Sequence, residues 1–385
     1  MQADALHVQE LLDAATGQAR STDFGEPTFK DGLERLVVSL NDEANLSPIG
    51  RTVARAQLLA QLRTRLAVHE WAAERPGLAN ERIARPIFLV GLSRSGTTAL
   101  SHILSCDPRN RSLLGWEANS PVPPSSPSTR ALDPRAVAAR DAGPSLLDEL
   151  NPSFRAIHHD PWNMPVECVV VMAQHFVSLG AATQYWVPSY TRWVIEADHA
   201  PVYRWHDLVL RTLQSGGVRG RWQLKGPHHA LSLDALVRQY PDARFVVSHR
   251  EPAECVASTA SLARSLASTF CERPSGADIG RLWTETQATM VDRAMAARDR
   301  LGPDRFVDVA YRDVKSDPVG AVHRVYEQLG ERLSPQADEA MRAHATVAVP
   351  NRYGRHEYGL ADFALDRGEI DERFSRYRER YAAYL

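Results

Sequence analysis

Apolar positions along this chain keep two different rhythms. Up to residue 84 they recur at helical spacing, as in Leu58, Leu62 and Leu66, the mark of helices with one buried face. Ser47-Pro48 supplies a start signal, with Ser as the cap and Pro in the first turn. From residue 86 the rhythm changes. Pro86-Ile87-Phe88-Leu89-Val90 is a short unbroken apolar run that ends in a Gly/Ser/Thr loop, and helical spacing follows through Leu100, Ile103 and Leu104. Such a run predicts a strand covered on both faces. Arg244–Ser248 and Arg305–Val309 repeat the pattern, and Trp222–Lys225 is a weaker instance. Each is followed by a helical stretch, which predicts an α/β fold with a mostly parallel sheet flanked by helices.

The division expected is an N-terminal helical segment over 1–84 packed on a main domain over 85–385. A helical insertion over about 121–220 begins at the stiff Pro121–Pro127 loop and is rich in aromatics such as Trp162, Tyr185, Trp193 and Trp205. It predicts a mixture of core packing and an apolar pocket. A net charge of −2 gives no general attraction to nucleic acid or anionic membranes, so any anion site must be local. Cys106, Cys168, Cys255 and Cys271 lack CxxC spacing, which argues against a disulfide framework and a structural zinc site and fits a cytoplasmic protein. No stretch approaches the roughly 18 apolar residues of a membrane span. His158-His159-Asp160 lacks a clear third ligand, so no metal is expected there.

The candidate chemistry starts at Gly91-Leu92-Ser93-Arg94-Ser95-Gly96-Thr97-Thr98, between the first strand and its helix. Glycines allow a tight turn, the helix start offers unpaired N–H groups, and Thr97 and Thr98 add hydroxyls, which together would cradle one phosphate-like group. In the nucleoside triphosphate loop GxxxxGK[ST] the position of Thr97 is lysine, which reaches the β and γ phosphates. Its absence, with Arg94 as an earlier cation, points to a donor with less charge and no obligatory Mg²⁺. A P-loop phosphotransferase and an inactive nucleotide-binding regulator are the alternatives. A second anion site is suggested by Arg250 at the end of a predicted strand and Ser258 eight residues on, a bidentate cation and a hydroxyl able to meet on one phosphate.

Phe88–Thr98 resembles the 5′-phosphosulfate loop of sulfotransferases that use 3′-phosphoadenosine 5′-phosphosulfate (PAPS), a P-loop-like fold. With Arg94 it is similar to the tyrosylprotein sulfotransferases and related bacterial enzymes. The resemblance covers roughly residues 85–385. It implies that Arg94, Ser95, Gly96, Thr97 and Thr98 bind the phosphosulfate, and that Arg250 and Ser258 bind the 3′-phosphate. By the same resemblance Tyr311, in Val309-Ala310-Tyr311-Arg312-Asp313-Val314, contacts the nucleotide, and Arg352 and Arg355 belong to a basic loop over the 3′-phosphate. Ala99 departs from cytosolic members, where a tryptophan stacks on adenine. The activity implied is sulfuryl transfer from PAPS to a hydroxyl of a small-molecule or lipid acceptor, releasing 3′,5′-ADP, without a metal; a homodimer is compatible with it.

Sulfuryl transfer is an in-line displacement that needs a base for the acceptor hydroxyl, cations on the sulfuryl oxygens and charge relief on the leaving phosphate. Arg94 suits the bridging oxygen. Lys225 ends a predicted strand, as does a family lysine near the sulfuryl group, and it is one of three lysines, with Lys30 and Lys315, among 45 basic residues. Glu117 in Gly115-Trp116-Glu117 is the first candidate base, by likeness to a glutamate of the tyrosylprotein enzymes. His228 and His229, shortly after Lys225, come next, and Glu167 is third.

Overall fold

The computed structural model describes residues 5–17, 19, 21–157, 162–272, 274–347 and 356–385. The first apolar run forms β1 (Ile87–Gly91), with all its residues buried. It occupies the middle of a five-stranded sheet of order β2-β3-β1-β4-β5, with β2 at Asn110–Ser112, β3 at Arg221–Lys225, β4 at Arg244–His249 and β5 at Phe306–Ala310. Every pairing is parallel. β2 is a short edge strand that apolar patterning does not announce, because Asn110-Arg111-Ser112 carries no apolar side chain.

Helices cover both faces. On one, α4 (Thr97–Leu104) packs Leu100, Ile103 and Leu104 against Val319, Val322 and Val325 of the Pro318–Gln328 helix. On the other, α1 (Val8–Thr16), α2 (Phe29–Asp42) and α3 (Pro48–Ala73) share one apolar core with the helices Val169–Ala173, Pro188–Glu196 and Ala200–Ser215. The Ser47 side chain accepts from the Gly50 N–H at the start of α3, with Pro48 in its first turn, as the start signal predicts.

A parallel sheet sends the carboxyl ends of its strands to one edge, where ligands of open α/β sheets bind. Gly91, Lys225, His249 and Ala310 are those ends here. The loop after Gly91, Lys225 itself, Arg250 and Tyr311 therefore meet at a single edge although they are spread over more than half the chain.

Glu117, the first candidate for the base, is buried beside the edge strand and is not in the wall of the strand-end cavity. Its helix, α5 (Gly115–Asn119), follows β2, and its two oxygens take bonds of 2.7 and 2.8 Å from Arg111 and one of 3.1 Å from Arg130. Glu117 and Arg111 are each about 1% exposed. A buried carboxylate paired with two guanidinium groups is held in its charged form and closed off from an acceptor, which disfavours proton uptake there. The pair is structural: removing one partner leaves a buried charge uncompensated, at a cost of about 3–5 kcal/mol. Glu117→Ala is expected to lower stability by that amount, read as a shifted chemical-denaturation midpoint; an unshifted midpoint would contradict the buried-pair reading.

Four buried histidines add a pH dependence. Burial, with nearby cations, lowers His175 to about 2, and burial lowers His199 to about 4, His206 to about 3 and His228 to about 3. All four are neutral in the folded chain near neutral pH and would take protons on unfolding below about pH 6.5. The unfolded state then binds more protons, so stability is full above pH 6.5 and falls as pH drops toward 4, by up to about 1.4 kcal/mol per pH unit for each histidine. Denaturation midpoints between pH 7.5 and 4.5 should fall steeply below 6.5; a flat profile would contradict their burial as neutral groups.

Candidate active site

The loop leaving β1 depends on two glycines. Gly91 has φ 140° and lies so close to β4 that a Cβ would meet the Ser248 carbonyl oxygen at 2.4 Å; Gly96 has φ 96°, and a Cβ there would meet the Tyr311 ring at 2.7 Å. Only glycine takes this backbone path without strain. Between them Arg94 also takes a left-handed conformation, φ 70°, and Ser95 closes the turn through its Oγ on the Leu92 carbonyl at 2.7 Å. Gly96 precedes α4, which has no side-chain cap. Its first N–H groups thus stay available at the positive end of the helix, the arrangement that binds anions.

Arg94 and Arg250 interlock here. Arg94 Nε donates to Ser258 Oγ at 3.2 Å and its Nη2 to the Ile157 carbonyl at 3.0 Å. No carboxylate among the described residues forms an ion pair with it, and burial lowers its pKa. Arg250 Nη1 donates to the Arg94 carbonyl at 2.9 Å, its far side pairs with Glu254 at 2.8 Å, and its guanidinium lies 4.4 Å from the centre of the Tyr311 ring. Arg250 and Ser258 thus both touch Arg94, and Tyr311 joins Gly96 to Arg250. Arg352 and Arg355 lie outside the described residues, as does His158-His159-Asp160. The described chain just beyond returns to the same place, where His356 Nε2 meets Ser261 Oγ at 2.5 Å.

Lys225 is fully buried at the end of β3. Its Nζ donates to Thr98 Oγ1 at 3.0 Å, and Glu167 Oε1 stands 3.9 Å away. Glu167 keeps part of its side chain exposed, so one carboxylate stands beside the buried ammonium and open to a cavity. His228 also borders the cavity, but its Nε2 faces Met172 Sδ at 2.8 Å. His229 is turned into the core, bonded through Nδ1 to the Tyr203 hydroxyl at 2.9 Å, and its pKa is pushed well below the ordinary value by burial and neighbouring histidines.

Most of these groups line one cavity of about 650 Å³, within the range of small-molecule sites; Ser95, Lys225, His229 and Ser258 are buried outside its lining. Arg94, Gly96, Thr97, Thr98, Arg250 and Tyr311 form one side, and Glu167 and His228 are also in its wall. The remaining wall includes Phe154, Thr259, Leu262, Leu266 and Trp283, none of which sequence reasoning singled out; helical spacing marks them as core, and only the fold turns them toward a cavity. Among the described residues no group of three or more His, Cys, Asp or Glu could hold a metal ion.

Comparison with known proteins agrees with this geometry. A family model described as "Sulfotransferase family" matches residues 86–335. "Omega-hydroxy-beta-dihydromenaquinone-9 sulfotransferase Stf3" of Mycobacterium tuberculosis is 24% identical over 305 residues, 77% of this chain and 74% of that protein. Among solved structures, sulfotransferase STF1 from Mycobacterium tuberculosis has a TM-score of 0.86 at 31% identity, covering 97% of this chain and 100% of its own. Sulfotransferase STF9 from Mycobacterium avium has a TM-score of 0.87 at 27% identity, covering 99% and 98%. With a family model spanning well over half its length, the chain belongs to the sulfotransferase family and is a sulfotransferase.

Proposed function

We propose that the enzyme takes the sulfuryl group from PAPS and passes it in line to a hydroxyl of a small-molecule or lipid acceptor, releasing 3′,5′-ADP. The observation that carries this reading is the meeting of two anion-binding groups on one cavity: the uncapped start of α4 with its loop, and Arg250 beside Arg94 and Ser258. Two such groups suit a nucleotide phosphorylated at both its 5′ and 3′ positions. When bound, PAPS supplies a sulfuryl group whose bond to the bridging oxygen breaks as one to the acceptor oxygen forms.

The loop amides from Gly96 to Thr98 hold the 5′ end, while the Ser95 N–H is spent on the Leu92 carbonyl; Arg250 with Ser258 holds the 3′-phosphate, Tyr311 flanking the nucleotide. Arg94, bonded to Ser258 on the nucleotide side, offsets charge that grows on the leaving phosphate. Lys225, fixed by Thr98, faces the sulfuryl oxygens. Glu167, beside Lys225 and in the cavity wall, replaces Glu117 as the base and takes the acceptor's proton. His228 also borders the cavity, yet its Nε2 faces Met172 and burial lowers its pKa far below that of a useful base, which favours Glu167. A hydroxyl as the accepting group is supported by the relative whose name specifies an omega-hydroxy-beta-dihydromenaquinone-9. We place the enzyme in the cytoplasm, where its four free cysteines would stay reduced.

Calorimetric titration with 3′,5′-ADP should show binding by the wild type, weakened roughly 10- to 100-fold in Arg250→Ala, as for a charged hydrogen bond lost. Preferential binding of Mg²⁺-ATP would contradict the proposal. With labelled PAPS and an accepted alcohol, Lys225→Ala should lower kcat about 10²–10³-fold and Glu167→Gln about 10²–10⁴-fold. Glu117→Gln should spare kcat. A larger loss in Glu117→Gln than in Glu167→Gln would reverse the assignment of the base.

A further inference from the structure

A second cavity, of about 500 Å³, lies behind the first. Its far wall comes from the N-terminal helices, through Leu36 and Leu40 of α2 and Leu58 of α3. Its near wall comes from Val169–Ala173 and Gly180–Gln184, and Val169, Val170, Gly180 and Gln184 line both cavities. The partition between them is thus a single layer of residues. Gly180 thins it further: a Cβ there would meet Val169 Cγ2 at 3.1 Å.

Several polar side chains of this chamber are spent on the protein, while the Oε1 atoms of Gln61 and Gln174 in its wall are buried without a protein partner. Gln57 Nε2 donates to Gln184 Oε1 at 3.2 Å, Gln184 Nε2 to the Tyr185 hydroxyl at 3.2 Å, and that hydroxyl to Gln57 Oε1 at 2.7 Å, a closed ring. Thr64 donates to the Asn119 carbonyl, and Ser178 to the Val169 carbonyl, each at 3.0 Å. An apolar occupant would break none of these bonds and would meet Leu36, Leu40, Leu58, Val169 and Val170; Gln61 and Gln174 each offer a free acceptor.

We infer that the acceptor is an elongated molecule whose hydroxyl lies at one end, beside Glu167 and Lys225, and whose apolar chain crosses at Gly180 into this chamber. This rests on the sulfuryl-transfer reading above. The N-terminal helices are then more than a packing layer: α2 and α3 set which chains are accepted. The donor end and the chain end of the ligand are read by different parts of the fold.

The test uses the full chain and straight primary alcohols from butanol to hexadecanol. Affinity is measured without donor, by displacement of a fluorescent apolar dye, and turnover with labelled PAPS. Affinity should rise roughly two- to fourfold per added methylene until the chamber is filled. Gly180→Val, which thickens the partition, should lower the hexadecanol-to-butanol ratio at least tenfold. Ala60→Trp, on the exposed side of the chamber, should do the same and reads the ratio independently should Gly180→Val fail to fold. Affinity independent of chain length, or ratios unchanged in Ala60→Trp, would overturn the inference. Length-dependent binding with no alcohol sulfated would support the chamber while contradicting the PAPS reading.

Discussion

The backbone between Gly91 and Gly96 passes where side chains do not fit, and the rest of the site follows from that. β1 is pinned between β3 and β4 and buried throughout, so its exit point is fixed by the sheet. Gly91 lies against the Ser248 carbonyl and Gly96 against the Tyr311 ring, which forces the turn to close within a few residues and leaves α4 without a side-chain cap. The resulting row of free N–H groups is an anion site built from backbone, not from net charge. On the proposed reading, this lets a nearly neutral protein take a highly charged donor.

Three further strand ends bring one group each to this loop. Lys225 ends β3 and is held by Thr98, the first turn of α4; Arg250 follows β4 and is tied to the Arg94 carbonyl; Tyr311 follows β5 and fills the space a Gly96 side chain would need. Because these groups bind one another through the loop, their positions are coupled. Rigid elements holding short side-chain contacts are what in-line transfer requires, since a misplacement of about 1 Å costs on the order of a hundredfold in rate.

Much of this was legible in the sequence where chemistry is local. Short apolar runs mark β1, β4 and β5, the last interrupted by Asp308, and the glycine spacing after β1 marks the loop, because buried parallel strands and tight turns leave local signatures. Lys225 stood out through the scarcity of lysine, and Arg250 and Ser258 through their spacing. What was not legible depended on contacts between distant segments. Glu117 looks like a base until Arg111, on the preceding edge strand, and Arg130, in the loop beyond it, close on both its oxygens. Glu167 gains its standing only because Lys225, far along the chain, is placed beside it. Helical periodicity likewise identifies α2 and α3 as packed helices, but it does not distinguish a face that fills the core from one that walls a chamber.

The account centres on one cavity holding both phosphate-bearing ends of a single nucleotide. A crystal structure with 3′,5′-ADP measures this most directly. The 5′-phosphate should sit on the amides from Gly96 to Thr98, within hydrogen-bond distance, and the 3′-phosphate beside Arg250 and Ser258. A nucleotide bound away from this cavity, or one whose 3′-phosphate touches neither Arg250 nor Ser258, would contradict it.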